Sequence, residues 1–314
     1  MIPGFTHSHR IRLVTVTAAA FVAAMTSLAS AQQSFSSADE AADALAKAAK
    51  SGDRNAILTV LGKDGADIVS SGDEVADAAT RQKFVAAYDA KHRIAMEGDD
   101  KATVVIGQDD FPLPIPLLRK DGMWRFDTAA GRDEILFRRI GKNELDAIQT
   151  CLAYVDAQNE YAEKDRIGAG SNSYAQRIIS QPGKQDGLYW PSSKGEEESP
   201  LGEFIAQATR QGYRAGAGRT PYRGYYFKIL TKQGPSAEGG KIDYVFQGRM
   251  IGGFALVAYP AEYRNSGVMT FIVNHAGIVF QKDLGPGTAK LAERMTSFNP
   301  DKTWQKTPSA DLAQ

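Results

Sequence analysis

The stretch that most constrains the fold is residues 250–285, MIGGFALVAYPAEYRNSGVMTFIVNHAGIVFQKDLG. Apolar and β-branched residues fill three runs, which are separated by PAEYRNSG at 260–267 and NHAG at 274–277. Runs of this kind between proline and glycine turns are typical of antiparallel strands. Together with the alternating run that starts at Tyr222, they predict an antiparallel sheet in the C-terminal half.

A helix is predicted upstream of this sheet, with Asn143 as its N-cap and an end near residue 163. Its apolar residues recur at helical spacing and form one stripe: Leu145, Ile148, Leu152 and Val155. We expect the sheet to cover this stripe. The sequence therefore predicts a C-terminal domain over residues 133–298, in which a long helix packs on an antiparallel sheet.

Residues 32–132 predict a separate N-terminal α+β domain. Ser37 and Glu40 form a capping box before an alanine-rich helix that ends at Gly52, and a second helix ends near Gly62. Strand-like runs follow, including MWRFDT at 123–128, and predict a small antiparallel sheet. This order of elements resembles the cone-shaped nuclear-transport-factor-like and cystatin-like folds. The predicted fold class of the whole chain is α+β.

Two further segments of the C-terminal half carry local predictions. Residues 165–221 are rich in Gly, Ser, Gln and Pro, with one helix expected between an N-cap at Ser199 and Gly212. Residues 299–314 are expected to form a flexible tail onto which Trp304 can dock.

The first 31 residues have the pattern of a secretory signal peptide. Two arginines precede the apolar run LVTVTAAAFVAAM, and the small residues SLASA follow it. The pattern predicts cleavage after Ala31 and a periplasmic or secreted protein. The apolar run is shorter than the roughly 20 residues that span a bilayer, and no later run is long enough. We therefore expect no integral membrane span in the mature chain.

The charge balance gives no support for nucleic-acid binding, and the cysteine content excludes an internal disulfide. The chain has 37 Lys and Arg residues against 37 Asp and Glu residues, so nothing favours binding to nucleic acid. The single cysteine, Cys151, cannot form an internal disulfide. It is either a reactive thiol or a small core residue, and its place in the predicted helix favours the core.

No motif in the sequence identifies a catalytic, cofactor or metal site. Beyond the leader, His92 and His275 are the only histidines, and HExxH, CxxC and GxSxG are missing. We predict structural roles for both histidines, in a helix end and in a tight turn. The acidic runs at 109–110 and 196–198 are expected to be solvated charge. Calcium binding by these loops stays open.

Aromatic residues are the remaining candidate for a functional surface. Five of them cluster around the irregular segment and the first strand of the C-terminal sheet: Tyr189, Trp190, Tyr222, Tyr225 and Tyr226. Tyrosine and tryptophan are enriched at protein interfaces because they combine apolar area with a polar tip. The alternative is that part of the cluster faces the core.

Long passages of the chain resemble the bacterial domain-of-unknown-function 2950 family. They include FPLPIPLLRKDGMWRFDTAAG, RRIGKNELDAIQTCLAYVDAQNEY, DGLYWP, PYRGYYFKILTKQG and the sheet region quoted above. The resemblance implies an exported bacterial protein and supplies no catalytic residues to carry over.

A second, weaker resemblance concerns the C-terminal half. The order of NELDAIQ…AQNEY, GYYF, FALVAYP and MTFIVNHAGIV is similar to the globular part of type IV pilin-like and pseudopilin proteins. It implies one long helix against a small antiparallel sheet. The secretory leader and the amphipathic helix differ from those proteins, so assembly into a pilus shaft does not follow.

The sequence therefore predicts an exported envelope protein that acts by protein–protein interaction or assembly rather than by catalysis. The partner would be another envelope protein. The alternative is a small-molecule binding protein or hydrolase with a pocket in the N-terminal domain, beside Trp124, Phe126 and Asp127.

Overall fold

Seven α-helices form in the part of the chain that the computed structural model describes, residues 32–214 and 220–308. They are α1 (Ala38–Ser51), α2 (Arg54–Leu61), α3 (Ala66–Val69), α4 (Glu74–Ala90), α5 (Thr128–Tyr161), α6 (Gly202–Arg210) and α7 (Thr288–Arg294). The predicted leader, residues 1–31, lies outside the described residues. No helix of the described ranges is both long and apolar enough to cross a membrane.

Fifteen short strands accompany these helices in the described residues. The first five are β1 (His92–Met96), β2 (Lys101–Ile106), β3 (Phe111–Pro112), β4 (Leu117–Lys120) and β5 (Met123–Phe126). The others are β6 (Tyr225–Leu230), β7 (Lys232–Gln233), β8 (Ile242–Asp243), β9 (Val245–Phe246), β10 (Arg249–Met250), β11 (Ala255–Pro260), β12 (Met269–Asn274), β13 (Phe280–Asp283), β14 (Ser297–Phe298) and β15 (Gln305–Lys306).

The fold is α+β, as the sequence predicts. One antiparallel sheet has the order β1-β2-β4-β5, with β3 paired to β2, and a second antiparallel sheet has the order β15-β13-β12-β11-β6. A small third sheet, β14-β7-β8, contains one parallel pair, and β9 with β10 forms a hairpin. Helix α5 packs on β11 and β12, so the expected helix on an antiparallel sheet is confirmed.

The predicted helix ends in the N-terminal half are confirmed in detail. The Ser37 hydroxyl accepts a hydrogen bond from the Glu40 N–H at 3.0 Å, and Gly52 ends α1 with φ of 70°. Gly62 ends α2. These ends depend on contacts within a few residues, which is why the sequence alone predicts them.

The start of α5 was predicted wrongly. The helix begins at Thr128, capped by Asp127, and Asn143 lies buried inside it instead of capping it. The Asn143 amide donates to the Ser266 carbonyl oxygen at 2.9 Å, a partner 123 residues away. Its polar side chain therefore serves a tertiary contact, which local capping preferences do not reveal.

The buried face of α5 includes three of the four residues of the predicted stripe and excludes Leu145. Ala147, Cys151 and Tyr154 point into the core, whereas Leu145 is 46% exposed. Of the other predicted residues, Val155 is buried in the second core, and Ile148 and Leu152 are partly buried against it. Cys151 is buried in the core, in agreement with the structural role expected for it.

The described residues from Gln32 onward form one compact unit with two hydrophobic cores. The buried residues of the first core lie between Phe35 and Phe126, and those of the second between Ala147 and Phe298. The predicted boundary at residues 132 and 133 falls inside α5. Near this boundary Gly131 packs on the Pro114 backbone, and a Cβ there would lie 2.5 Å from the Pro114 oxygen.

Two segments of the C-terminal half differ from their predicted conformation. Helix α6 begins at Gly202 without a side-chain cap, and the buried Ser199 hydroxyl has no hydrogen-bond partner among the described residues. In the segment expected to be a flexible tail, β15 pairs with β13, and Trp304 packs on the second core. Residues 309–314 lie outside the described ranges.

Candidate functional site

An apolar cavity of about 250 Å³ lies between α5, α6, the irregular segment before α6 and the C-terminal sheet. Helix α5 contributes Thr150, Ala153 and Tyr154 to its wall, and α6 and strand β6 contribute phenylalanine and tyrosine side chains. The main lining side chains are Ala153, Ile178, Leu201, Phe204, Ile205, Tyr222, Tyr226, Phe227 and Leu256.

Aromatic contacts hold the wall formed by α6 and the residues before β6. The ring of Tyr222 lies 5.3 Å from the ring of Phe204 and 4.9 Å from the ring of Tyr213. Tilted and edge-on contacts at these distances are the favourable arrangement for aromatic pairs. On the C-terminal sheet, Tyr226 of β6 lies opposite Tyr259 of β11, and their rings are 5.6 Å apart.

A buried carboxylate fixes the polar end of this cavity. Asp73 is 1% exposed and caps α4 by accepting the Ala76 N–H at 3.0 Å. Its other oxygen accepts the Tyr213 hydroxyl and the Gly224 N–H, both at 2.9 Å. Burial, followed by the charge of Asp73, raises the pKa of Tyr213, so this hydroxyl stays protonated and donates. The carboxylate thus ties α4 to Tyr213 in the cavity wall and to the Gly224 backbone just before β6.

Arg223 lies beside this contact in a strained conformation. Its φ is 50°, in the left-handed region that non-glycine residues rarely adopt. Its N–H donates to the Tyr213 hydroxyl at 3.2 Å, and its guanidinium pairs with Asp146 of α5 at 2.7 Å. These two bonds hold the strained residue in place.

A second polar contact joins α5 to the segment around α3. Arg139 donates to the backbone oxygens of Asp67 and Ile68 and to the Asn265 side chain, at 2.5–2.6 Å. Asn265 in turn donates to the Ser70 carbonyl oxygen at 2.8 Å. The residues that surround the first core are thereby linked to the turn between β11 and β12.

The structure separates the five aromatic residues that the sequence grouped. Trp190 and Tyr225 are buried, and their polar atoms donate to the carbonyl oxygens of Glu197 and Met269. Their exposed fractions are only 6% for Trp190 and 0% for Tyr225. Tyr222 and Tyr226 are partly exposed and line the cavity. Tyr189 is partly exposed and pairs through its backbone with Ile179, whose side chain lines the same cavity. The interaction surface itself stays a prediction.

Sequence reasoning missed Asp73 and Tyr213. Asp73 follows a short polar run and shows only the signal of an N-cap. Tyr213 lies three residues after the end of α6, and no sequence pattern surrounds it. Their side chains meet across 140 residues of sequence, so no local motif could have paired them.

Cys151 and the two histidines lie in surroundings that indicate structural roles. Burial raises the pKa of Cys151 to about 12, which leaves the thiol protonated and unreactive at neutral pH. His92 stacks on the Tyr88 ring at 3.9 Å, and His275 lies 6.0 Å from the Tyr244 ring.

One acidic side chain of each run lies beside two cations. Asp110 pairs with Lys91 and Arg93, and Glu197 pairs with Lys164 and Arg166. No group of three or more potential metal ligands occurs in the described residues. The structure therefore identifies no cation site in these runs, and calcium binding by them stays open.

The residues proposed for an N-terminal pocket have other roles. Trp124 is 6% exposed and Phe126 is 2% exposed, and both belong to the first core. Asp127 caps α5 through the Ala130 N–H. Their side chains are therefore used in packing and capping.

A comparison with protein families gives one match. The family model described as "Protein of unknown function (DUF2950)" matches residues 32–307, which include every element described above. No curated protein and no solved structure matches the chain, so the likeness to pilins has no support from a known structure.

Proposed function

The chain belongs to the DUF2950 family, and we propose that it is an exported envelope protein that works by binding another protein rather than by catalysis. The observation that carries the proposal is the apolar cavity between α5, α6 and the C-terminal sheet, lined by Tyr222 and Tyr226. Partly exposed aromatic residues around an apolar cavity are typical of sites that receive an anchor side chain.

The size of the cavity favours a side chain over a cofactor. Cavities of about 150 Å³ accept benzene, whereas pockets for drug-sized ligands and cofactors measure about 300–1,000 Å³. The volume of about 250 Å³ lies between these limits and fits one large apolar side chain of a partner. Asp73 supports this role because it holds Tyr213 at the wall.

Export rests on the predicted leader. If Ala31 is the last residue of that leader, the mature chain begins at Gln32, where the compact unit also begins. N-terminal sequencing of the chain isolated from the host envelope is expected to give Gln32. A full-length chain that starts at Met1 and is recovered from the cytoplasm would contradict export.

Photo-cross-linking in intact cells tests the binding site. Benzoylphenylalanine at position 222 is expected to trap a second protein, whereas the same group at position 123, on the first sheet, is not. Ala153→Phe fills the cavity and should abolish the cross-link. Ala79→Phe, on the exposed face of α4, serves as the matched control. Recovery of the uncross-linked chain alone, or an unchanged cross-link in Ala153→Phe, would contradict the proposal.

The alternative of a ligand pocket in the N-terminal domain has less support. Trp124 and Phe126 would have to leave the first core before they could line a pocket, at the cost of their burial.

A further inference from the structure

Strand β6 forms one edge of the C-terminal sheet, and this edge is paired at its two ends only. At its start, Tyr222 and Tyr225 exchange backbone hydrogen bonds of 2.8 and 3.1 Å across a turn whose two central residues have positive φ, as in a type I′ hairpin. Just after its end, the Thr231 N–H donates to the Thr296 carbonyl oxygen at 3.2 Å. The stretch between Tyr225 and Thr231 spans about 20 Å at the rise of a β-strand.

The backbone groups of Phe227 and Ile229 face outward along this stretch. In an antiparallel pair, successive residues alternate between bonding to the neighbouring strand and facing away from it. The Gly224 carbonyl oxygen accepts the Ala261 N–H, so the even-numbered residues of β6 bond to β11 and the odd-numbered ones face away. Neither Phe227 nor Ile229 forms a backbone bond on that side to any described residue. Thr220 would face Phe227 if the hairpin continued, but no backbone bond joins them.

The apolar cavity opens onto this edge. Tyr226 and Phe227 are successive residues of β6, so their side chains point to opposite faces of the sheet. Both side chains nevertheless line the cavity. Since β11 occupies the other side of β6, one cavity can contact both side chains only around the outer edge of the strand. The outward backbone groups of Phe227 therefore lie beside the cavity.

The open stretch lacks the usual protection of an edge strand. Natural edge strands carry lysines, prolines or bulges that keep other strands from pairing with them. Lys228 is the only charged residue of β6, and its ammonium donates to the Ala292 and Glu293 carbonyl oxygens at 2.9 and 2.7 Å. These bonds hold its charge on α7. The other residues of the strand are aromatic or aliphatic and permit another strand to approach.

We propose that the partner protein adds an extended segment to β6 as a further strand, an inference that rests on the proposed function and specifies how the partner binds. The N–H and C=O groups of Phe227 and Ile229 bond to the backbone of this segment. One of its side chains enters the cavity as the apolar anchor. Backbone bonds supply affinity and a side-chain pocket supplies specificity in strand addition of this kind.

Charge specifies the segment further. Among its described lining residues, the cavity has one charged side chain, Arg214, and no acidic one. A segment with an acidic residue near its apolar anchor is therefore complementary to the site. Strand β6 of a second copy has no acidic residue, so it fits this site less well than such a partner does.

Amide hydrogen exchange of the purified chain, followed by NMR, tests the open edge. The amides of Phe227 and Ile229 should exchange about tenfold or more faster than those of Tyr226 and Lys228, because only the latter pair is bonded within the sheet. Equal protection in a monomeric chain would overturn the proposal, since the edge would already be covered. Protection that appears only where sedimentation velocity shows a dimer would identify a second copy as the occupant and overturn it too.

The photo-cross-link from position 222 tests the added strand itself. Ile229→Pro removes the outward N–H and keeps the bonds to β11, and proline is tolerated at such edge positions. Ile229→Ala is the matched control, because it shortens the same side chain and keeps the N–H. The yield should fall about tenfold in Ile229→Pro relative to Ile229→Ala, as loss of a backbone hydrogen bond predicts. Equal yields would overturn strand addition and leave the cavity as the binding site, whereas no cross-link in the wild type would refute both proposals.

A second pair of variants tests the charge of the segment. Arg214→Glu should lower the cross-link yield, and Arg210→Glu, an exposed arginine of α6 outside the cavity lining, should leave it unchanged. Equal yields would overturn the acidic character of the segment. The exchange measurement uses the wild-type chain, so it decides whether the edge is open even where Ile229→Pro fails to fold.

Discussion

Replacing Asp73 by asparagine tests whether one buried carboxylate holds α4 to the elements around the cavity. The side chain accepts three hydrogen bonds, from the Ala76 N–H, the Tyr213 hydroxyl and the Gly224 N–H. Asparagine keeps one acceptor oxygen and turns the other into a donor. If the oxygen stays on the helix cap, the Gly224 N–H faces an NH₂ group and is buried without an acceptor.

An unsatisfied buried N–H costs about 1–3 kcal/mol. The asparagine also removes the desolvation cost of a buried charge, which offsets part of the loss. We therefore expect Asp73→Asn to lower the free energy of unfolding by about 1–3 kcal/mol. The same substitution at Asp53 is the matched control, because that exposed residue only caps α2 through the Asn55 N–H. Asparagine and aspartate cap helices equally well, so Asp53→Asn should stay within about 0.5 kcal/mol of the wild type.

Urea unfolding followed by tryptophan fluorescence measures both variants. A lower midpoint at an unchanged slope reports a loss of stability in the folded state. Tyr213→Phe, alone and combined with Asp73→Asn, gives the coupling energy between the two side chains, expected at about 0.5–3 kcal/mol. The reasoning is refuted if Asp73→Asn and Asp53→Asn unfold at the same midpoint, or if the coupling is zero.

Three further predictions concern α5 and the carboxylates. The Cys151 thiol should resist iodoacetamide at pH 8 in the folded chain and react fully in urea, because burial raises its pKa to about 12. Fast labelling of the folded chain would contradict its burial. Gly131→Ala should lower the melting temperature, because its Cβ would lie 2.5 Å from the Pro114 oxygen. Gly141→Ala should raise the melting temperature by removing a helix penalty of about 1 kcal/mol, and shifts of the same sign in the two variants would refute this contrast. Burial raises the pKa of Asp77, whereas a hydrogen bond from Lys91 lowers the pKa of Asp110. Carboxyl NMR should therefore show that Asp77 titrates at a higher pH than Asp110. The reverse order would contradict the burial of Asp77.

The raised pKa of Asp77 also fixes the sign of its effect on stability. Folding favours its protonated form, so its stabilising contribution is fully present below its unfolded pKa of about 3.9. The contribution declines as the pH rises through the folded pKa. At neutral pH the ionised side chain therefore costs stability, and bonds from Ser71 to both of its oxygens reduce that cost.

Sequence patterns predicted the elements whose cause is local. The Ser37 hydroxyl accepts the Glu40 N–H, and the Glu40 carboxylate accepts the N–H and hydroxyl of Ser36. Gly52 adopts a positive φ, so both ends of α1 follow from a few neighbouring residues. The strands around 255–283 and the turn at Gly277 follow from alternation and a glycine in the same way. Burial of Cys151 followed from the helical spacing.

Local pattern failed where a side chain has a distant partner. Asparagine is favoured at helix N-caps, but Asn143 lies inside α5, which begins at Thr128. Its amide donates to the Ser266 carbonyl oxygen 123 residues away. Leu145 fits the apolar period, yet it points outward because Ala147 and Cys151 meet the sheet.

The sequence by itself determined the α+β class, the ends of the first two helices and the presence of an aromatic group near Tyr222. Only the tertiary structure decided that Tyr225 is buried while Tyr222 lines a cavity, and that Asp73 meets Tyr213. The physical reason is that capping, turns and periodicity act over a few residues, whereas burial and hydrogen bonding depend on which distant segments pack together.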